Sequence, residues 1–361
     1  MALTKVDPSV VDDQVFGRRN FVINGAMQVA QRTTSQTGIL QSGYYSVDRM
    51  RHAGSSLATA RFTSAQVTDA PTGFVYSFKN TVTTAEGAVN ADDNFYPLNY
   101  RIEARDLKRL GFATSSAQQI TVSFYVKSSV TGTYVLGLYL PDSQRAQGRT
   151  YTISSADTWE YKTLTYAAGT TVSDYINLDN GTGLDMYFAG GSGSQFTTGT
   201  LPQTWSAYAN ADFLAGQTAQ LQNTVNSTWQ ITGLQVEAGA IATPFEHLTF
   251  AEDLALCERY YQVLQNPCPR GVIASTGNPV ACNRMATPLK TEMRANPTVA
   301  LAGTFNVYDG LSTGSISNVN ATYSSTSALE FDSTAGVSSS AGRACCVYNS
   351  GSYKATVDAE L

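Results

Sequence analysis

The chain is expected to be all-β: a large jelly-roll β-sandwich, a short inter-domain helix, and a small C-terminal β-sandwich. Three observations predict this. Charged residues make up only 14% of 361, while Ser, Thr, Gly, Asn and Tyr abound, a balance that suits turn-rich β-structure and not a helical bundle. Apolar and polar residues alternate in segment after segment. The clearest is "QITVSFYVKSS" (119–129), where Ile120, Val122, Phe124 and Val126 share one face and Thr121, Ser123, Tyr125 and Lys127 the other. Turn signals at Asn24-Gly25, Pro141-Asp142 and Ala168-Gly169 punctuate these segments. A hydrophobic content of 42% with 20 Tyr and 15 Phe excludes disorder as the main state.

Residues 1–19 are polar and read as an arm outside the first core. Residues 20–247 carry the jelly roll. "FVINGAMQVAQR" (21–32) reads as a short strand, a turn at Asn24-Gly25 and a second apolar patch, and "GFVYSFKNTV" (73–82) alternates Phe74, Tyr76 and Phe78 with Val75, Ser77 and Lys79. "RIEARDLKRL" (101–110) mixes both charge signs and reads as a solvated turn or short helix. "GGSGSQ" (190–195) reads as a flexible loop tip inside a long decorated loop over 190–227. The domain closes with "TWQITGLQVEAG" (228–239), in which Gly233 shifts the apolar set from Trp229 and Ile231 to Leu234 and Val236, the pattern of a bulge in a well-covered strand.

Residues 248–266 are expected to form the connecting helix. Thr249 followed by Glu252 matches a capping box. Phe250, Leu254, Cys257, Tyr261 and Leu264 then recur at steps of four and three, a short heptad seam suited either to packing on its own domain or to a parallel bundle about a symmetry axis. Pro267 and Pro269 end it. Residues 267–361 return to β-patterns, and so small a domain gains stability from association with its own copies.

Enzymatic chemistry finds little footing. Only His52 and His247 could serve as an imidazole base, and neither lies beside a nucleophile elbow. No phosphate-binding loop is present, and a net charge of −5 without a basic cluster argues against nucleic-acid binding. No apolar run approaches a membrane span and no signal-peptide core is visible, so neither membrane insertion nor ordinary export is expected. Five cysteines without CxxC pairs suggest idle thiols rather than disulfides or zinc, and no cofactor is implied. Asp92, Asp93, Asp157 and Glu160 could supply a glycosidase carboxylate pair or serve as solvated turns. "DNGTGLD" offers Asp179, Asn180 and Asp185 as weak calcium ligands without EF-hand spacing. The better hint is aromatic: Tyr44, Tyr45, Tyr96, Trp205 and Tyr208 lie in turn-like or Gly/Ser-rich surroundings, where flat rings could stack on sugars or plug the sandwich ends.

Five runs, in order, resemble signature stretches of a bacteriophage structural-protein family, the tail fibres and other virion appendages of tailed phages. They are "NFVINGAMQVAQR" (20–32), "YYSVDRM" (44–50), "QITVSFYVKSSVTGTY" (119–134), "WQITGLQVEAGAIATPFEH" (229–247) and "LALCERYYQ" (254–262), with the ending "DAEL" (358–361) also similar. The resemblance implies a jelly roll similar to carbohydrate-binding modules, a helix leading to a distal β-domain, and a homotrimeric virion-borne fibre. It also implies that the 1–19 arm attaches to other phage tail proteins. With the loop aromatics, the expected role is a non-enzymatic adhesin for bacterial surface polysaccharide. A structural head fibre or tail adaptor, and a polysaccharide depolymerase, are the alternatives.

Overall fold

The computed structural model describes residues 18–303, 305–320, 324–336, 338–348 and 354–361; nearly all of the expected 1–19 arm lies outside them. Two compact units are present, residues 1–253 with Leu361, and residues 254–360. The strands of the first are β1 (Ser35–Ile39), β2 (Gly43–Tyr44), β3 (Arg51–Ser55), β4 (Arg61–Val67), β5 (Ser77–Thr84), β6 (Asn94–Glu103) and β7 (Ile120–Ser128). They continue with β8 (Gly132–Leu140), β9 (Arg145–Ile153), β10 (Glu160–Tyr166), β11 (Thr182–Phe188), β12 (Gly191–Ser192), β13 (Ser206–Ala207) and β14 (Thr228–Ala238).

A six-stranded sheet, β1-β4-β5-β14-β7-β10, faces an eight-stranded one, β13-β9-β8-β11-β6-β3-β2 with β12 joined to β6. One core fills the space between them: Phe62, Phe78, Phe124 and Ile231 come from the first sheet, and Leu98, Tyr100, Leu136, Met186 and Phe188 from the second. The class is all-β, as the alternation predicts, and the sandwich is of jelly-roll type. The residues 101–110 run ends in a 3-10 turn, Ala104–Leu110, closed by Gly111 in the left-handed region at φ 60°.

β14 runs between β5 and β7, and its register against β7 shifts between Thr232 and Gln235. Gly233 is the cause. Its φ is 61°, and a Cβ there would stand 2.6 Å from Phe74 Cζ, so glycine both allows the turn of the backbone and seats the ring.

Two expected features of this unit take another form. The 21–32 run is buried but is not a strand. Asn24 and Met27 sit at positive φ (61° and 59°), which breaks pairing, and the Asn24 amide stands in for a neighbour by donating to the carbonyls of Val29 and Asp48 (both 2.9 Å). The 190–195 run is no loop tip: Gly191–Ser192 pairs with β6, and a Cβ on Gly193 would fall 1.9 Å from the Asn90 carbonyl oxygen. Two short helices follow, α1 (Ser194–Thr197) and α2 (Asn210–Phe213).

The connecting helix α3 spans only Phe250–Glu258. Its capping box forms as expected: Thr249 N donates to Glu252 Oε2 (2.8 Å), and Glu252 N donates to Thr249 Oγ1 (3.3 Å). The heptad seam does not form. Tyr261 and Leu264 lie on a strand, β15 (Tyr261–Gln265), paired with β23 (Lys354–Asp358). Phe250 is 54% exposed, Leu254 is half-buried and Cys257 is buried, so the five positions share no helical face. Alternation over Tyr-Gln-Val-Leu-Gln competes with the helical period, and tertiary pairing decides in favour of the strand.

In the second unit, β18 (Thr298–Ala302) joins β15 and β23 in a three-stranded sheet. A closed barrel, rather than two facing sheets, is made by β16 (Arg270–Ile273), β17 (Val280–Pro288), β21 (Ala328–Ala335), β20 (Thr313–Asn320), β19 (Asn306–Tyr308) and β22 (Ala344–Tyr348). Closure removes the free sheet edges that a small sandwich would leave. None of the five cysteines is joined in a disulfide.

Candidate functional site

The outward face of the eight-stranded sheet carries a grid of aromatic and charged side chains. Strand alternation sends Leu184, Met186 and Phe188 of β11 into the core and turns Asp185 and Tyr187 outward. Pairing then sets Tyr139 (β8), Asp185 (β11) and Arg101 (β6) in one row. Gly137, Tyr187, Asn99 and Arg51 form the next, with Tyr44 opposite Arg51 on β2. Gly137 and Gly148 face each other across β8 and β9, and a Cβ at either would strike Phe213 (2.8 Å) or Leu201 (2.5 Å). Their bareness lets the 194–217 segment lie on the sheet and bring Tyr208 to the face.

Hydrogen bonds lock the grid from below. Asp185 and Asn99 are buried. Tyr187 Oη donates to Asp185 Oδ2 (2.8 Å), Asn99 Nδ2 donates to Asp185 Oδ1, and Arg101 Nε lies 3.4 Å from Asp185 Oδ2. Arg51 Nη1 donates to Asn99 Oδ1 (2.7 Å). Burial raises the Asp185 carboxyl above the usual range, against the opposing pull of Arg101. Burial and the neighbouring carboxylate keep the Tyr187 phenol protonated, and burial does the same for Tyr139 and Tyr208, so all three remain neutral donors. Above the lock, Tyr139, Tyr187, Arg51 and Arg101 are half-exposed and Tyr208 is 37% exposed. The Tyr139 and Tyr208 rings stand 5.3 Å apart, and both Tyr208 and Tyr187 pack against Phe213 (5.1 and 5.5 Å).

The five aromatic residues expected from sequence divide. Tyr208 belongs to this face. Tyr96 is also there, 4.9 Å from Tyr187, but buried beneath it, so it supports and does not offer a surface. Trp205 is a plug: it is buried, its Nε1 donates to the Ala167 carbonyl (2.9 Å) and its ring packs edge-on to Phe112. Tyr44 and Arg101 both donate to the Leu361 carbonyl (3.2 and 2.8 Å), which occupies that end of the grid. Tyr45 is half-buried and donates to the Gln41 carbonyl (2.8 Å).

The calcium set does not gather. Asp179 Oδ1 accepts the Gly181 N–H (2.7 Å) in a turn, whereas Asp185 is spent on Arg101, Asn99 and Tyr187 in mid-strand. Among the described residues no cluster of three His, Cys, Asp or Glu side chains could hold a metal, and no helix is long and apolar enough to cross a membrane. Two of the four acids weighed for glycoside cleavage, Asp93 and Glu160, are committed to their own turns. Asp93 is buried and accepts the Asn90 N–H (2.7 Å). Burial pushes the Glu160 carboxyl up, but Lys162 and the N–H groups of Ser155 and Ser154 outweigh it and hold the carboxyl low, the reverse of what a general acid needs.

Tyr139, Tyr187 and Arg101 escaped the sequence reading. A signal was present: Asp185 and Tyr187 are an acid and a ring two residues apart on the polar face of "GLDMYFA", and Gly137 and Tyr139 are the same distance apart in "TYVLGLYL". Reading the outward set of each strand, instead of its loops, would have found them.

No family model matches the chain, and no curated protein matches it. Similar solved structures include the CBM22-1 xylan-binding domain of Paenibacillus barcinonensis Xyn10C, at 8% identity and a TM-score of 0.28 over 63% of this chain and all of that one. A CBM4 structure matches at 11% identity and 0.27, over 60% of this chain and 97% of that one. The family 11 carbohydrate-binding module of Clostridium thermocellum Lic26A-Cel5E matches at 10% and 0.27, over 59% and 99%. TM-scores at this level carry no inference about ligand or role.

Proposed function

We propose that the chain is a non-enzymatic, glycan-binding adhesin whose ligand lies across the outward face of the eight-stranded sheet. One observation supports this above the others: three partly exposed tyrosines share a face with two guanidinium groups, with Tyr187, Arg101 and Arg51 braced by buried Asp185 and Asn99 and Tyr208 packed on Tyr139 and Phe213. The rings offer apolar surface to the C–H faces of a pyranose, while phenol and guanidinium N–H and O–H groups meet its hydroxyls. Such a braced constellation keeps its geometry without ligand, which reduces the ordering cost of binding. A glycan array built from bacterial surface polysaccharides and probed with the full chain is expected to give discrete positives. A blank array would remove the proposal.

The setting comes from the five-motif resemblance: a virion appendage of a tailed phage, attached through the 1–19 arm to other tail proteins. Three copies would turn a weak sugar contact into firm attachment through effective concentration. The helical seam no longer supports that trimer, which rests on the resemblance alone. Light scattering on the full chain is expected to give three times the 38.6 kDa chain mass, and a mass near 38.6 kDa would rule the trimer out.

A further inference from the structure

The six-stranded sheet carries a second concavity, unrelated to the tyrosine grid. Phe74, Tyr125, Tyr161, Phe245 and His247 line a cavity of about 280 Å3, together with Gly233 and Ser123. Its rings meet at steep angles: Phe74 to Phe245 at 5.0 Å and 70°, Phe245 to His247 at 4.9 Å and 74°, Phe74 to Tyr125 at 5.6 Å and 59°. Tyr125 and Tyr161, on paired strands, stand 4.9 Å apart at 49°. Rings so inclined wall a compact volume and do not form a flat platform.

The lining also lacks what a sugar requires. Among the described side chains around the cavity there is no carboxylate, amide or guanidinium, only the hydroxyls of Thr72, Ser123 and the two tyrosines and the His247 imidazole. A pyranose placed there would leave most of its hydroxyls unpaired. Lys127, on the same strand as Ser123 and Tyr125, is paired with Asp69. A ligand that suits this lining is compact, needs no hydrogen bonds at its buried end and gains from ring faces. A quaternary ammonium group meets all three conditions.

We propose that the cavity bounded by Phe74, Tyr125, Tyr161, Phe245 and His247 is a binding site for a choline-type quaternary ammonium head group. Binding is purely non-covalent, with the N-methyl groups against the rings and the alcohol end toward water. The site is separate from the tyrosine grid, so it stands or falls independently of the glycan reading.

Choline is titrated into the full chain and followed by broadening of its N-methyl proton signal, beside its uncharged tert-butyl isostere and methyl glucoside. Choline is expected to bind with a Kd of about 1 mM, and the isostere at least about 5-fold more weakly. Tyr161→Ala, at a position 49% exposed and therefore tolerant of truncation, is expected to weaken choline about 5-fold; Tyr208→Ala should leave it unchanged. Equal binding of the isostere, displacement of choline by methyl glucoside, indifference to Tyr161→Ala, or no broadening at choline concentrations on the order of 10 mM would each overturn the proposal.

Discussion

Trp229→Ala is expected to destabilise the sandwich by about 4 kcal/mol and to lower its melting temperature by roughly 8–16 °C. Trp229 is fully buried on β14, the strand held on both sides by β5 and β7, and its ring lies 5.6 Å from Phe188 of the opposite sheet. Truncation therefore opens a cavity between the sheets at a place where neither neighbour can collapse. The loss is chiefly one of packing and apolar burial, so Trp229→Phe should cost much less. Calorimetry on the full chain reads this directly, because the first unit is expected to melt as its own transition. A loss below about 1 kcal/mol in Trp229→Ala would mean that the sheets are not packed around this residue.

Stability of the first unit is expected to fall by about 3 kcal/mol as the pH drops from 6.5 to about 4, through one residue. His52 sits fully buried on β3, with its ring centroid 4.8 Å from Phe62 and 5.4 Å from Phe95. Burial holds its pKa down at about 4, the positive charge of Arg51 adds to this, and the Asn80 hydrogen bond opposes it. Its Nε2 finds no hydrogen-bond partner among the described residues. Above pH 6.5 the ring is neutral folded and unfolded, and its contribution is complete. Between 6.5 and about 4 the unfolded chain takes up a proton that the folded one refuses, so stability drains away as pH falls through that window. His52→Phe keeps an aromatic ring among the same neighbours and cannot titrate. Denaturant titrations of both proteins across the window should show a steeper loss in the wild type, and parallel curves would contradict the assignment.

Strand patterning carried most of the fold because burial and alternation say the same thing along β7, β11 and β14. Even the Gly233 bulge was legible, since a glycine at a change of face admits few other readings. Where local pattern and long-range pairing disagreed, the pattern misled. Tyr261 and Leu264 fit a heptad, yet pairing with Lys354–Asp358 draws them into β15, and no local signal reports a partner strand some 90 residues away. Phe21–Arg32 looks like a short strand and a turn, yet the Asn24 amide does the work of a neighbouring strand. The candidate site was only partly legible for a different reason. Tyr208 and Tyr96 were found as aromatic residues in polar surroundings, but Trp205 showed the same surroundings and is a core plug. Tyr139, Tyr187 and Arg101 converge only through the order β8-β11-β6, which is a property of topology and not of spacing.

The proposed binding face is tested most directly by the Tyr139→Ala/Tyr208→Ala double variant. Its affinity for an array-positive oligosaccharide would be measured by calorimetric titration beside the wild type. Removing two half-exposed rings should weaken binding by at least about 10-fold while the melting temperature stays within roughly 2 °C. Unchanged affinity in a folded double variant would place the glycan elsewhere and contradict the proposed site.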